Sequence, residues 1–170
     1  NADQAVADIE KEEELSRIAL LKLVALVLVI SIAGLAVAIS YNTDCPAPRV
    51  DASGGETITA AVFDCYGPPE VIQLAQIEKP VPAANEVLVK VHSAGVNPLD
   101  WHYMRGSPYL MRLASGLGAP NDTRMGVDFS GTVESVGSDV TDFKPGDQVF
   151  GGSNGAFAQY ITVRQTGAIA

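Results

Sequence analysis

The stretch that decides the fold is residues 125–152, MGVDFSGTVESVGSDVTDFKPGDQVFGG, which predicts a strand, a turn and a second strand. Small and β-branched residues alternate with polar residues over positions 129–136, as in a half-buried strand. Residues 137–139 and 145–147 supply turns, because proline fixes φ and glycine adopts positive φ there. An extended run then resumes and stops at residues 151–152, two glycines.

Further short strands are predicted on both sides of this stretch. They cover residues 58–64, 71–77, 86–93 and 156–163, with a proline-containing turn at residues 66–69. Val87, Val89 and Val91 share one face of their strand, since side chains alternate along a strand. Several short strands, glycine-rich turns and one short helix favour a mainly β, barrel-like domain.

The short helix is predicted within residues 96–106, VNPLDWHYMRG. Asn97 is a favourable N-cap residue, and Pro98 suits the first helical position, where no backbone N–H is needed. This segment concentrates polar and titratable side chains, so it is the segment of the domain best suited to chemistry. His92 lies on a predicted strand, and we interpret it as structural.

A long apolar segment precedes the β domain. Residues 18–40 carry one charged side chain, Lys22, which is close enough to the end to reach a membrane interface. At about 1.5 Å per residue, this segment reaches across the roughly 30 Å hydrocarbon core of a bilayer. We therefore predict a single-pass membrane helix, as in a protein of the bacterial inner membrane. Ser31, Gly34 and Ala38 are small residues at helical spacing, which lets another helix pack closely.

Two questions about this segment stay open at the level of sequence. A cleaved signal peptide is the alternative, since residues 36–38 resemble a cleavage site, but the apolar run is too long and the leader too acidic. Lys11, Arg17 and Lys22 flank the N-terminal side, which places the β domain outside the cytoplasm by the positive-inside rule. A nicotinamide-dependent reaction would need that domain inside, so the two arguments give opposite orientations.

The segments around the apolar run are polar. Residues 1–17 are acidic and helix-favouring, which predicts a solvated arm leading into the membrane, with docking to a basic partner as the alternative. Residues 41–56 contain Pro46, Pro48 and a Ser-Gly-Gly run, which predicts a flexible linker.

Composition excludes some functions. A net charge of −9 and a pI near 4.5 argue against nucleic-acid binding, which needs a basic surface. Two cysteines, Cys45 and Cys65, are too few for a four-thiolate zinc site or a disulfide scaffold. We expect two free thiols, and a single Cys45–Cys65 bridge is the alternative in an oxidising compartment.

One set of motifs resembles a known family. The pattern G-x-D-F-x-G-x-V-x-x-V-G at residues 126–137, followed by F-K-x-G-D-x-V at residues 143–149, is similar to the N-terminal GroES-like domain of medium-chain dehydrogenase/reductases. The similarity is greatest to the zinc-free, quinone-oxidoreductase-like branch and covers residues 57–170. It implies a partly open β-barrel with short helices, preceded here by one transmembrane helix. The family's Rossmann domain is expected after Ala170.

The resemblance also implies which residues act. In the family, the segment N-P-x-D lines the active cleft, and Asn97 matches the asparagine near the nicotinamide and substrate. Asp100 matches the acid of that motif, which we interpret as structural. His102 stands where tyrosine is common, and Tyr103 is its neighbour. The candidate catalytic residues are therefore Asn97, His102 and Tyr103.

The resemblance bears on metal and cofactor as well. Zinc-dependent members of the superfamily have cysteine in place of Asn97 and Gly-His-Glu in place of residues 126–128. A catalytic zinc needs about three protein ligands, so we predict no metal. NADPH is implied, but the glycines of residues 151–155 lack the G-x-G-x-x-G spacing between a strand and a helix. We expect no cofactor-binding residues within this chain.

Two functions follow. The first is the substrate-side domain of a membrane-anchored, zinc-independent NAD(P)H-dependent oxidoreductase that reduces quinones or α,β-unsaturated carbonyl compounds, inactive without its cofactor domain. The second is a non-catalytic accessory subunit that uses the GroES-like domain as a docking module. In that case residues 1–40 contact the lipid bilayer and other membrane subunits.

Overall fold

The structure is a computed structural model that describes residues 2–46 and 54–169. The chain divides into two compact units, Asn1–Ser40 and Tyr41–Ala170. The first unit is a single helix, α1 (Ala2–Ser40), so the predicted acidic arm and the predicted span form one continuous element. Its portion Lys11–Ser40 includes an 18-residue window with a mean hydropathy of 2.8 and no buried residues, which makes it a candidate membrane span by length and composition only.

The second unit is mostly sheet. Its strands are β1 (Thr57–Phe63), β2 (Ile72–Glu78), β3 (Glu86–Gly95), β4 (Asp128–Val136), β5 (Gln148–Gly152), β6 (Tyr160–Arg164) and β7 (Ala168–Ile169). Two short helices, α2 (Pro98–Arg105) and α3 (Arg112–Ser115), lie between β3 and β4. Three 3-10 turns cover Pro69–Val71, Tyr109–Met111 and Gln165–Gly167.

The strands form two antiparallel sheets. One is the β1–β2 hairpin, and the other has five strands in the order β6-β3-β4-β5-β7. Isolated bridges from Ala60 to Ala158 and from Val62 to Arg124 join β1 to the segments beside the larger sheet. The strands of the described residues therefore form an open arrangement and no closed barrel. The antiparallel pair of β3 and β4 lies within the larger sheet, between β6 and β5.

The core lies on one face of the larger sheet, as the alternating pattern predicts. Val87 and Val89 on β3 are fully buried and pack with Val133 on β4. Gly131 sits where β4 crosses β3, and a Cβ there would collide with the carbonyl oxygen of Lys90. This close approach of two backbones explains why the alternation is interrupted by a glycine.

The last predicted strand begins later than expected. Ladder pairing starts at Tyr160, not at residue 156. Over residues 156–159 the backbone N–H groups donate to three separate acceptors, the carbonyls of Gly126, Met125 and Thr59. A segment whose hydrogen bonds go to different partners has no single neighbouring strand, and the residue types alone do not reveal this.

The predicted linker is not free at its start. Thr43 N–H donates to the carbonyl of Gly118 at 3.0 Å, and the guanidinium of Arg112 donates to the carbonyl of Tyr41 at 3.0 Å. Arg112 also donates to Oδ1 of Asn42 at 2.7 Å and is only 1% exposed. Residues 41–46 thus belong to the β unit, because a buried arginine needs acceptors that they supply. The rest of the linker up to residue 53 lies outside the described residues.

The expectation of free thiols is wrong. Cys45 and Cys65 form a disulfide with their Cα atoms 5.1 Å apart. The contacts of residues 41–43 with Arg112 and Gly118 bring Cys45 beside the end of β1, where Cys65 is buried. Disulfides of this kind persist in oxidising compartments.

Candidate functional site

The N-terminus of α2 is capped as the sequence predicts. Oδ1 of Asn97 accepts from the N–H of Leu99 at 2.8 Å, and the carboxylate of Asp100 accepts from the N–H of Asn97 at 2.8 Å. Pro98 occupies the first helical position. This reciprocal capping satisfies N–H groups that a helix start leaves unpaired, and it fixes the direction of both side chains.

Asn97 also connects α2 to the larger sheet. Its Nδ2 donates to Oδ2 of Asp128, the first residue of β4, at 2.7 Å. Asn97 and Asp128 stand at positions where zinc-dependent members of the superfamily have the cysteine and the glutamate of their zinc motifs. An amide has two N–H donors, and this bond to a carboxylate uses one of them.

Asp100 is the least expected member of the site. It is 4% exposed, its Oδ2 accepts from Asn97, and among the described residues no donor reaches its Oδ1. A buried carboxylate oxygen without a hydrogen bond is costly, so a group of this kind indicates a place for a bound donor. We interpreted Asp100 from sequence as structural, and capping accounts for only one of its two oxygens.

His102 is held by the backbone. Its Nδ1 lies within hydrogen-bond distance of the carbonyl oxygen of Ser107. A carbonyl oxygen only accepts, so Nδ1 carries the proton and Nε2 is the acceptor of the neutral ring. The ring also stacks on Trp101 with centroids 3.9 Å apart. These contacts hold the His102 ring at the C-terminal turn of α2. Its Nδ1–H is used by Ser107, so the neutral ring has no further N–H to donate.

A cavity of about 250 Å³ adjoins α2. Its polar wall includes Asp100, Tyr103, Asp122 and Arg124, and its apolar wall includes Phe63, Met111, Met125 and Val127. Tyr103 packs beside the buried cluster of Phe63, Tyr66, Met104 and Met125. A mostly apolar cavity with a few polar groups is the usual form of a small-molecule site.

One ion pair borders the cavity. Nη2 of Arg124 lies 2.7 Å from Oδ2 of Asp122, and Nε of Arg124 donates to Oδ1 at 2.9 Å. Burial acts to raise the pKa of Asp122, but the hydrogen bonds from Arg124 outweigh it and hold this pKa below its ordinary value. The same bonds raise the pKa of Arg124. Both side chains therefore stay charged at neutral pH.

The three predicted site residues have different surroundings. Tyr103 lines the cavity, whereas Asn97 and His102 are bonded to Asp128 and Ser107 beside it. Asp100, Asp122 and Arg124 are the polar groups that sequence reasoning missed. The N-P-x-D motif was a signal for Asp100, but nothing in the pattern of residues 122–124 singles out that pair.

The structure also bears on the glycines of residues 151–155 and on possible metal ligands. The glycines of residues 151–155 end β5 and lead through a turn to β6, so they are not followed by a helix. Among the described side chains, those of residues 11–46 and 54–167, no three His, Cys, Asp or Glu lie close enough to hold a metal ion.

Comparisons with known proteins identify the family of the β domain. The family model described as "Alcohol dehydrogenase GroES-like domain" matches residues 83–170. The quinone oxidoreductase of Sus scrofa is 37% identical over 112 residues, which cover 64% of this chain and 32% of the relative. That of Mus musculus is 39% identical over 102 residues, 58% of this chain and 28% of the relative. The chain thus spans about a third of the length of these curated relatives.

Solved structures give the same result. A quinone oxidoreductase from Coxiella burnetii is 31% identical with a TM-score of 0.58, covering 67% of this chain and 37% of that one. A quinone oxidoreductase from Escherichia coli, complexed with NADPH, is 28% identical with a TM-score of 0.56, covering 65% of this chain and 32% of that one.

Proposed function

Because this chain belongs to the alcohol dehydrogenase GroES-like domain family, with quinone-oxidoreductase-like relatives in the medium-chain dehydrogenase/reductase superfamily, we propose that it forms the substrate side of a reductase. The reaction is the NAD(P)H-dependent, zinc-independent reduction of quinones or α,β-unsaturated carbonyl compounds. The cavity beside α2 receives the ring or enone of the substrate.

The observation that carries this proposal is the largely apolar cavity beside α2, whose wall also includes the polar side chains of Asp100 and Tyr103. A quinone ring suits the apolar part of this wall. The same wall carries the phenol of Tyr103, which can donate to a carbonyl oxygen of the oxidised ring.

The residues beside the cavity suit reduction of an activated double bond. When such a bond is reduced, negative charge collects on the carbonyl oxygen, which then needs a hydrogen-bond donor and finally a proton. Asn97 has a second amide N–H beyond the one given to Asp128. Tyr103 is the proton donor we propose. We assign His102 a positioning role, because its Nδ1–H is committed to Ser107.

The cofactor does not fit the described residues. A reduced nicotinamide supplies the hydride when it is bound, and a dinucleotide needs a glycine-rich turn between a strand and a helix. The glycines of residues 151–155 lie between two strands. We therefore place the dinucleotide on a part of the protein other than residues 54–169, and the steps above are those of the substrate side alone.

We also propose that α1 anchors the domain to a bilayer, since the portion Lys11–Ser40 is long and apolar enough to cross one. The accessory-subunit alternative has no support from the contacts of the described residues or from the relatives, so we do not propose it.

The test is oxidation of NADPH by the protein expressed from its complete reading frame, before and after treatment with a metal chelator. We expect oxidation that depends on an added quinone or enone and survives the chelator. Absence of quinone- and enone-dependent oxidation, or its loss on chelation with recovery on adding zinc, would overturn the proposal.

A further inference from the structure

The segment of residues 107–117, which contains the 3-10 turn Tyr109–Met111 and α3, exposes several large apolar side chains. Tyr109, Leu110, Leu113 and Leu117 are each at least half exposed, and Leu110 is 67% exposed. Leu110 lies in the 3-10 turn and Leu113 in α3, at a spacing of three residues, and Leu117 follows the end of α3. We call these four residues the leucine face.

The opposite side of this segment is part of the domain's interior. Met111, Ala114 and Ser115 line the cavity, and the side chain of Arg112 is buried. The segment is therefore one wall of the cavity, with its apolar residues divided between the inside and the outside. The four exposed side chains of the leucine face do not pack inside the domain. An exposed apolar group of this size usually marks an interaction surface.

The leucine face lies next to the point where the chain leaves α1. Arg112, between Leu110 and Leu113, donates to the carbonyl of Tyr41, the residue that follows the last residue of the helix. The carbonyl of Gly118, next to Leu117, accepts from Thr43. If α1 crosses a bilayer, Tyr41 is at the lipid–water interface, where tyrosine is enriched, and the leucine face is bonded within a residue or two of it.

The charges of the same segment suit an anionic lipid surface. The chain has a net charge of −9, yet residues 101–121 contain no Asp or Glu. Of the two arginines in this segment, Arg105 is exposed and Arg112 is buried. Exposed apolar side chains beside an exposed cation suit a protein face that lies on a bilayer.

We propose that the leucine face docks on the bilayer that α1 enters. The inference rests on the membrane anchoring proposed above and adds a second contact from the β domain itself. Docking brings the wall formed by Met111 and Ala114 to the lipid surface, so substrates of the cavity are lipophilic molecules that partition from the membrane.

The test measures which side chains touch lipid in the full chain. In a Trp101→Phe background, tryptophan is introduced as Leu113→Trp or, at a control site, Val81→Trp. Val81 is 85% exposed and follows β2 at the end of the β1–β2 hairpin where Thr57 pairs with Glu78, away from the end that leads to Cys65. Leu110→Trp serves as a second variant if Leu113→Trp does not fold.

The protein is reconstituted into phosphatidylcholine–phosphatidylglycerol vesicles with or without dibromo-phosphatidylcholine, which quenches tryptophan by contact. We expect bromolipid to lower the emission of Leu113→Trp by about twofold and to leave Val81→Trp nearly unchanged. Equal quenching at both sites overturns the docking surface, and so does blue-shifted but unquenched emission from Leu113→Trp. In either case, flotation of the protein with the vesicles still supports the anchor. Failure to float overturns both. None of these results depends on turnover, so the reductase proposal is tested separately.

Discussion

Nδ2 of Asn97 donates to Oδ2 of Asp128 at 2.7 Å, which joins the start of α2 to the start of β4. Because Asn97 also caps α2, we predict that Asn97→Ala lowers the free energy of unfolding by about 1–2 kcal/mol. Asn97→Ser keeps a capping oxygen but is too short to reach Asp128, so its stability should lie between those of the wild type and Asn97→Ala. Chemical denaturation measures these free energies of unfolding, and an Asn97→Ser variant as stable as the wild type would contradict the role of the Asp128 bond.

The Cys45–Cys65 disulfide closes a loop with a sequence separation of 20. Closing such a loop restricts the unfolded chain, so we expect reduction to lower the free energy of unfolding by about 3 kcal/mol. Thermal melting with and without reductant measures it. The double variant Cys45→Ser, Cys65→Ser is the control, since its melting temperature should be low and insensitive to reductant. A wild-type melting temperature that reductant does not change would contradict the bond.

The Cys45–Cys65 disulfide is one example of what sequence could not establish. Cysteine spacing gives no pairing, and the bond becomes evident only once Arg112 and Gly118 hold residues 41–43 against the domain. By contrast, the start of α2 could be predicted, because the preferences of Asn97 and Pro98 are local. Strand β4 was predictable for the same reason, as its alternation reports one buried face.

The candidate site divides in the same way. Tyr103 was singled out from sequence only as the neighbour of His102, and the structure places it in the cavity wall. The missing partner of Asp100 Oδ1 is a property of the folded interior and has no counterpart in residue type. The cavity also depends on residues 122–124, which come to α2 through the irregular segment before β4.

Asp100 should affect ligand binding more than stability. In Asp100→Asn the side-chain oxygen can still accept from Asn97, while an amide N–H₂ replaces Oδ1, for which no donor is found among the described residues. We predict a KM for a quinone raised about tenfold, with less than about 1 kcal/mol lost in unfolding free energy. Asp142→Asn, at an exposed carboxylate in a turn, is the matched control. An unchanged KM would show that Oδ1 does not meet the ligand.

Acid should destabilise the protein through Asp122. Its pKa is held below the ordinary value of 3.8, so the pair with Arg124 contributes stability that is present above that pH and lost as the pH falls through the lower, folded pKa. Arg124→Gln removes the cation and leaves burial, which raises the pKa of Asp122, so acid unfolding should begin at higher pH. Unfolding free energy measured against pH checks this, and superimposable acid profiles would contradict it.

The central claim is that the cavity beside α2 holds the substrate of a quinone or enone reductase. Ala114 is at the exposed rim of that cavity, and Ala84 is an exposed alanine outside its lining. The most direct measurement compares kcat/KM for quinone-dependent NADPH oxidation by Ala114→Trp and Ala84→Trp in the protein from the complete reading frame. We predict a loss of about tenfold or more for Ala114→Trp and a value close to wild type for Ala84→Trp. Equal kcat/KM values for the two folded variants would contradict the claim.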